Sequence, residues 1–440
     1  MRFSKYFLTL LFLACGFTTY AQQDSTVYTL QKCLELAIKN NLTVQQDSVS
    51  AQQARIAFAQ AKDNMIPNIQ GNANRQISSG RGLNPATNTY TTNSVTADNY
   101  NLSGSVVLFN GLALQQATKQ TSLAYQAGKM TFQAAKDLVT VNVITNYLQV
   151  LDAIEQLNQS QSQLAVAKES VDIAQTKDNY GANLTASTLS DFKGSYASTI
   201  VSVVTAQNNL ESAKLSLFNL MNIPYDKTAT LQPLNAEELK GQFGVDPEAV
   251  YQTALSQLAQ VKAATLMRQS AEKGVLYARG ILYPQLYLQG NVYTYTDPLA
   301  NSYIDQFRNN YGTILQLGLN IPIFTNLVKR HAVALAKLNL QNYQYIENNT
   351  KVQVRQNVET AYYNMLNAYK RYQALDDEVK AYSESYRVQK IRFDSGVITS
   401  DLFLLAKNNV DAANLNYISA RYDYYIYSKI LDYYQGKLSQ

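Results

Sequence analysis

Few residues in this chain could carry out chemistry. It has one histidine, His331, and two cysteines, Cys15 and Cys33. A nucleophilic triad or a Cys/His zinc site needs several such groups brought together. No glycine-rich segment opens a helix in the manner of a phosphate-binding loop. The expectation is therefore a protein that is not an enzyme and that has no metal and no cofactor. His331 follows Lys329-Arg330 and reads as a polar interfacial residue. The 33 tyrosines could stack on bases. However, Tyr147, Tyr362, Tyr369 and Tyr386 recur at heptad spacing, where a large amphipathic ring fills a helical seam. The 37 basic and 32 acidic residues nearly balance, and Arg2 and Lys5 belong to a leader, so no nucleic acid is expected as a partner. Lys370-Arg371, Arg387, Lys390 and Arg392 alternate with Asp376, Asp377, Glu378 and Glu384 as a solvated helix face would.

The elements that would position any site begin after residue 21. Residues 1–21 have a basic start, an apolar run from Phe7 to Leu13 and a small-residue end at Ala21, which is the pattern of a secretory signal peptide. A lipoprotein site at Phe12-Leu13-Ala14-Cys15, lipidating Cys15, is the alternative, and Phe12 fits that motif poorly. Cleavage after Ala21 leaves Cys33 as the only cysteine and excludes an internal disulfide. No later segment has the run of about 18 apolar residues that a membrane helix needs. Any membrane span must then be β.

The chain is similar to itself. Residues 142–153 and 357–368 share six identities in twelve at an offset of 215. Pro67 and Pro284, Phe109 and Phe324, and Ser187 and Ser400 pair at nearly the same offset. Such similarity marks a fold assembled from copies. The first repeat covers 22–223, a linker rich in proline covers 224–247, and the second repeat covers 248–440.

Each repeat has the same order of elements. A helix runs to Pro67 or Pro284, where proline stops it. Period-two segments follow, predicting strands over about 68–78 and 99–109, and over about 285–296 and 310–324. The segments between the paired strands, about 79–97 and 297–308, read as exposed loops. Four strands cannot close a barrel, and open edges are not tolerated in lipid, so several chains must share one. Long helices are predicted over about 111–178 and 326–393, each roughly 100 Å at a rise of about 1.5 Å per residue. Val143, Tyr147, Val150, Ile154 and Leu157 in the first, and Val358, Tyr362, Met365, Tyr369 and Tyr372 in the second, step by fours and threes as a coiled-coil seam does. Return helices follow over about 186–222 and 401–434.

This arrangement resembles the TolC-like outer-membrane efflux protein family across nearly the whole mature chain. The resemblance is carried by Pro67 and Pro284, by Phe109-Asn110-Gly111 with its echo Phe324-Thr325-Asn326, and by the tip Phe393-Asp394-Ser395-Gly396 followed by Ala406. It implies an all-α coiled-coil periplasmic tunnel joined to a transmembrane β-barrel. The assembly would be a homotrimer whose twelve strands, four from each protomer, form one barrel in outer-membrane lipid. Its partners would be a periplasmic adaptor and an inner-membrane efflux or ABC pump, with drugs, small solutes or polypeptides passing through. Pro67 and Pro284 would be helix-to-barrel swivels. Tyr180, Gly181, Asn183, Leu184 and Ser187, with Phe393, Gly396, Val397 and Ser400, would be adaptor-docking tips.

Family members often narrow the periplasmic entrance with aspartates six and nine residues after the tip glycine. In this chain those positions hold Leu402 and Leu405, while Asp401 comes one place early and Asp394 precedes the glycine. A ring of like charge would bind cations, and an apolar narrowing could gate by dewetting, so both readings stay open. So does plain helix packing by the two leucines. Two rival functions are a periplasmic adaptor and a coiled-coil structural protein without a pore. The first would need lipoyl and barrel domains around one hairpin, and the second would not need the alternating strand at 311–323.

Overall fold

A computed structural model describes residues 27–84, 88–179, 186–234, 246–296 and 302–437. The predicted signal peptide and Cys15 lie outside the described residues. In chain order the described elements are β1 (Val27–Tyr28), α1 (Leu30–Asn40), α2 (Leu42–Asp63), β2 (Asn68–Asn84), β3 (Thr89–Phe109), α3 (Ala113–Asn179) and α4 (Ala186–Met221). They continue with β4 (Thr230–Leu231), α5 (Pro247–Gln257), α6 (Ala259–Gly280), β5 (Gln285–Thr296), α7 (Tyr303–Asn309), β6 (Gly312–Asn320), α8 (Val328–Asp394) and α9 (Ser400–Tyr434). None of these helices is long and apolar enough to cross a membrane.

The contacts divide the chain into two compact units. One comprises Met1–Asn41, Val139–Phe243 and Tyr363–Leu431, and the other Leu42–Leu138, Gly244–Tyr362 and Asp432–Gln440. Each takes segments from both sequence repeats, so a repeat is a copied series of elements and not a separate globule.

The first unit is built on helix seams. Val143, Tyr147, Val150 and Leu157 of α3 are buried, and so are Met365 and Ala368 of α8. Tyr369 and Tyr372 turn their rings onto Tyr424 of α9, and Tyr372 also stacks on Tyr417. The tyrosines of this seam therefore pack against each other. Two polar ties join elements of different repeats: Gln156 Nε2 donates to Ser419 Oγ at 3.0 Å, and Arg421 pairs with Glu155. A small clasp holds the start of the described chain. β1 and β4 pair in parallel, and the buried Tyr147 hydroxyl reaches the carbonyl oxygens of Tyr28 (3.0 Å) and Gln232 (2.7 Å) beside them. Cys33 is fully buried nearby, and burial pushes its thiol up to about 11, so it stays protonated and behaves as a small apolar group. Because Tyr147→Phe removes the hydroxyl donor from the Gln232 carbonyl, while the Gln232 amide still serves the Tyr28 carbonyl, it is expected to cost about 1–2 kcal/mol. The denaturation midpoint should fall while the slope of the transition is unchanged.

The second unit carries an antiparallel sheet in the order β2-β3-β5-β6. Alternation and register sort its two faces. Ile69, Leu102, Val292, Leu315, Leu317 and Leu319 lie on one exposed face. Gln70, Asn72, Asn101, Ser103, Gln289 and Gln316 lie on the other. On the polar face, Tyr287 and Tyr293 lay their rings over Gly318 and Gly312, where any side chain would collide with them.

The sequence reading needs correction in the sheet. Within the stretch 79–97, the described residues 79–84 and 89–97 are strand and not loop. β2 continues to Asn84 and β3 begins at Thr89, paired from Ser79↔Ser94 to Asn84↔Thr89. Its β-branched threonines suit a pleated ladder even though neither face is apolar, so period two was hidden by polarity. Residues 303–309 are helical where a loop was expected, with Ser302 accepting from the Asp305 amide. β6 ends at Asn320 and not near 324, and α8 starts at Val328. Both long helices begin after a pair of left-handed residues, Gly111-Leu112 (φ 66° and 64°) and Asn326-Leu327 (φ 49° and 62°). That conformation cannot be part of a helix and sets both starts two residues later than predicted.

Candidate functional site

The tip of the second hairpin is assembled from the end of α8 and the start of α9. α8 stops in a Schellman turn: the Val397 amide donates to the Arg392 carbonyl at 2.8 Å, with Gly396 at φ 73°, where glycine carries no Cβ penalty. Beneath the turn an aromatic cluster joins four helices. Phe393 stacks on Phe403 with ring centres 4.9 Å apart, Phe192 of α4 meets both edge-on or tilted, and Tyr386 meets Phe403. Ala174 and Val171 of α3 complete the cluster. Ser400, buried, donates from Oγ to Asp191 Oδ2 at 2.8 Å. Two of the expected docking residues, Phe393 and Ser400, thus also hold the turn onto the first hairpin's return helix. Val397 and Ser187 are exposed. Tyr180, Gly181, Asn183 and Leu184 lie outside the described residues.

The four gate candidates fall into two chemically distinct pairs. Asp394 is ion-paired with Lys390 on its own helix at 3.4 Å. Asp401 lies in the first turn of α9, where the Thr399 side chain and the amides of Asp401 and Leu402 hold its carboxyl below the usual carboxylate value. Each is engaged locally, within its own hairpin. Leu402 and Leu405, one turn apart, are 48% and 57% exposed while Phe403 between them is buried. They turn away from the aromatic cluster. Deeper in α9, Lys407 is buried and paired with Asp411 at 2.6 Å.

The Asp401 cap has a consequence for pH. Its folded value is depressed, so the stability it contributes is fully present above the ordinary value of 3.8 and disappears as the pH falls through the lower, folded value. The stability gap between the wild type and Asp401→Ala should therefore close on acidification below about pH 4. Thermal melts across that range would measure it.

Sequence reasoning missed the Phe192–Phe403 contact and the Asp191–Ser400 bond. The available signal was phenylalanine near each tip in a chain whose seams otherwise use tyrosine. His331 is exposed at the start of α8, and Pro67 and Pro284 follow the last turns of α2 and α6. Among the described residues, no three His, Cys, Asp or Glu side chains cluster as a metal site.

The family model for outer membrane efflux proteins matches residues 33–223 and 250–436, one span in each repeat. The chain belongs to the outer membrane efflux protein family. Solved structures share the fold. The Campylobacter jejuni CmeC outer membrane channel superposes with a TM-score of 0.81 at 19% identity, covering 93% of this chain and 86% of that one. The open state of the Neisseria gonorrhoeae MtrE outer membrane channel gives 0.77 at 19%, covering 92% and 88%. The outer membrane protein VceC of Vibrio cholerae gives 0.77 at 15%, covering 92% and 96%. No curated protein sequence matches the chain. The protein is accordingly an outer-membrane efflux channel with a helical tunnel and a membrane sheet, from a family of channels and not of enzymes.

Proposed function

We propose that three copies of this chain form the exit duct of a tripartite efflux pump or a type I secretion system. The observation that carries this is the open four-stranded sheet, apolar on one face, polar on the other, with β2 and β6 at its edges. Exposed edges cannot stay unpaired in lipid, so β2 of one copy pairs with β6 of the next until the sheet closes. The apolar face then meets lipid and the polar face lines water, as in other outer-membrane barrels. The leader 1–21 directs export, and the linker 224–247 joins repeats 22–223 and 248–440. Pro67 and Pro284 mark the swivels where helix gives way to strand. A periplasmic adaptor docks on the helical tips around Gly396, and an inner-membrane pump supplies the driving force.

At the entrance we assign the narrowing to Leu402 and Leu405 in preference to an aspartate ring. The leucines are exposed and apolar, whereas Asp394 and Asp401 already have local partners. The test of the duct is purified full-length protein, sized in solution and then recorded in a planar bilayer. A trimer with discrete conductance steps is expected. A monomer that inserts without conducting would overturn the reading.

A further inference from the structure

The membrane-facing side of the sheet is not uniformly filled. Where β2, β3 and β5 run side by side, the floor is made of the small residues Gly71 and Ala73 of β2, beside the larger Leu102 of β3, with Val292 of β5 beyond it. α7 folds back over this place. The Phe307 carbonyl accepts from Thr294 Oγ1 at 3.2 Å, and the Phe307 ring stands edge-on to Tyr100 with centres 5.8 Å apart. The result is a cleft of about 430 Å³, floored by the small residues and walled by Leu102, Val292, Phe307 and Tyr311. Its lining is largely apolar. That volume falls in the range of small-molecule sites.

Just beyond the cleft, two positions along β2 from Ala73, stands Arg75. Its Nε and Nη2 donate to the two carboxylate oxygens of Asp98, each at 2.7 Å. The pair is lopsided: the Asp98 side chain is 4% exposed and that of Arg75 65%. A buried carboxylate thus fixes a guanidinium that faces outward on the same side of the sheet as the cleft. Arg75, Asp98 and Thr296 are register partners, level with one another across three strands.

The height of this level can be reckoned. Leu286 begins the apolar ladder on β5, and Thr296 lies ten residues on. At about 3.4 Å per residue and a tilt of about 40°, that is roughly 26 Å, close to the ~25 Å apolar band of outer-membrane barrels. The cleft therefore opens into the outer part of the hydrocarbon, and Arg75 stands at the headgroups. The last β2–β3 pair, Asn84↔Thr89, lies at the end of the sheet away from α2 and α3, so this is the leaflet facing the exterior.

We propose that the cleft and Arg75 together bind one phosphate-bearing lipid of the outer leaflet, lipid A, with an acyl chain along Gly71 and Ala73 and a phosphate on the Arg75 guanidinium. A guanidinium fixed by a carboxylate and exposed on its outer side suits a phosphate headgroup. Small residues beneath an aromatic roof suit a chain of methylenes. Exposed Ile304 on α7 and exposed Tyr311 continue the apolar surface beside the opening, as aromatic and aliphatic groups do at a membrane boundary. The inference rests on the apolar face being the membrane face.

Native mass spectrometry of the purified full-length protein, titrated with lipid A, tests it. The wild type should retain lipid A through detergent removal, and lipid A stripped of its phosphates should bind at least about tenfold more weakly. Ala73→Leu fills the cleft. Gly71→Leu does so independently, since a Cβ there meets only Leu102, at 3.9 Å. Both should lower lipid A retention by about tenfold or more while bilayer conductance stays at the wild-type level. Arg75→Lys, which keeps a charge opposite Asp98, should weaken lipid A more than its dephosphorylated form. Equal retention by the filled variants, equal binding of dephosphorylated lipid, or displacement of lipid A by equimolar phosphatidylethanolamine would each overturn the proposal. Normal conductance alongside any of these would leave the duct itself standing.

Discussion

Gly111→Val should leave little folded protein in the outer membrane. Gly111 sits at φ 66° immediately before α3, and a Cβ there would lie 2.6 Å from Tyr283 Cβ and also collide with the Gly280 carbonyl oxygen. Gly280 approaches from the other side under the same constraint, with Ala113 Cα only 3.0 Å from where its own Cβ would be. Backbone touches backbone here, between the strand-to-helix step of the first repeat and the helix-to-strand step of the second. Left-handed strain costs about 1–2 kcal/mol for a residue with a side chain, and overpacking adds typically 1–3. The two together take on the order of 2–5 kcal/mol from a margin of about 5–15. Gly290→Ala is the control, since nothing lies within 4 Å of its Cβ position, and it should be neutral. Heat-modifiable migration of the trimer and its melting temperature would separate the two variants. A Gly111→Val protein as stable as Gly290→Ala would show that the junction relaxes freely.

The second large effect is expected at the entrance. Leu402→Ser combined with Leu405→Ser should raise the resting conductance on the order of tenfold, because an apolar narrowing holds back water and ions by dewetting, and two hydroxyls per protomer would wet it. Folding should be spared, since both side chains point away from the aromatic cluster and neither is buried. Asp401→Ala should leave divalent-cation block unchanged, because the narrowing is assigned to the exposed leucines and not to that carboxylate. Planar-bilayer recordings on all three proteins decide the matter. Unchanged resting conductance in the serine variant would remove the leucines from the gate, and block weakened by Asp401→Ala would restore the aspartate ring.

Much of the architecture was legible because it is written twice. Pro67 and Pro284 stop equivalent helices, the 142–153 segment reappears at 357–368, and Tyr147 and Tyr362 hold equivalent seam positions. These are local signals, and duplication raised each above chance. What escaped depends on partners distant in sequence. Nothing around Thr89–Thr96 announces a strand until β2 lies beside it, because polar side chains on both faces erase the alternation. Ser302 capping a seven-residue helix is a short signal inside a loop-like composition. The meeting of Gly111 with Gly280 joins positions far apart in the chain, as does the bond from Ser400 to Asp191. At the tip, the positions of Asp401, Leu402 and Leu405 were visible, but which of them turn outward was set by the burial of Phe403 between them.

The unequal strands have a consequence for any ring built from them. β2 and β3 run on to Asn84 and Thr89, whereas β5 and β6 stop pairing with each other at Tyr293↔Gly312. Long and short strand pairs would therefore alternate around a ring of copies.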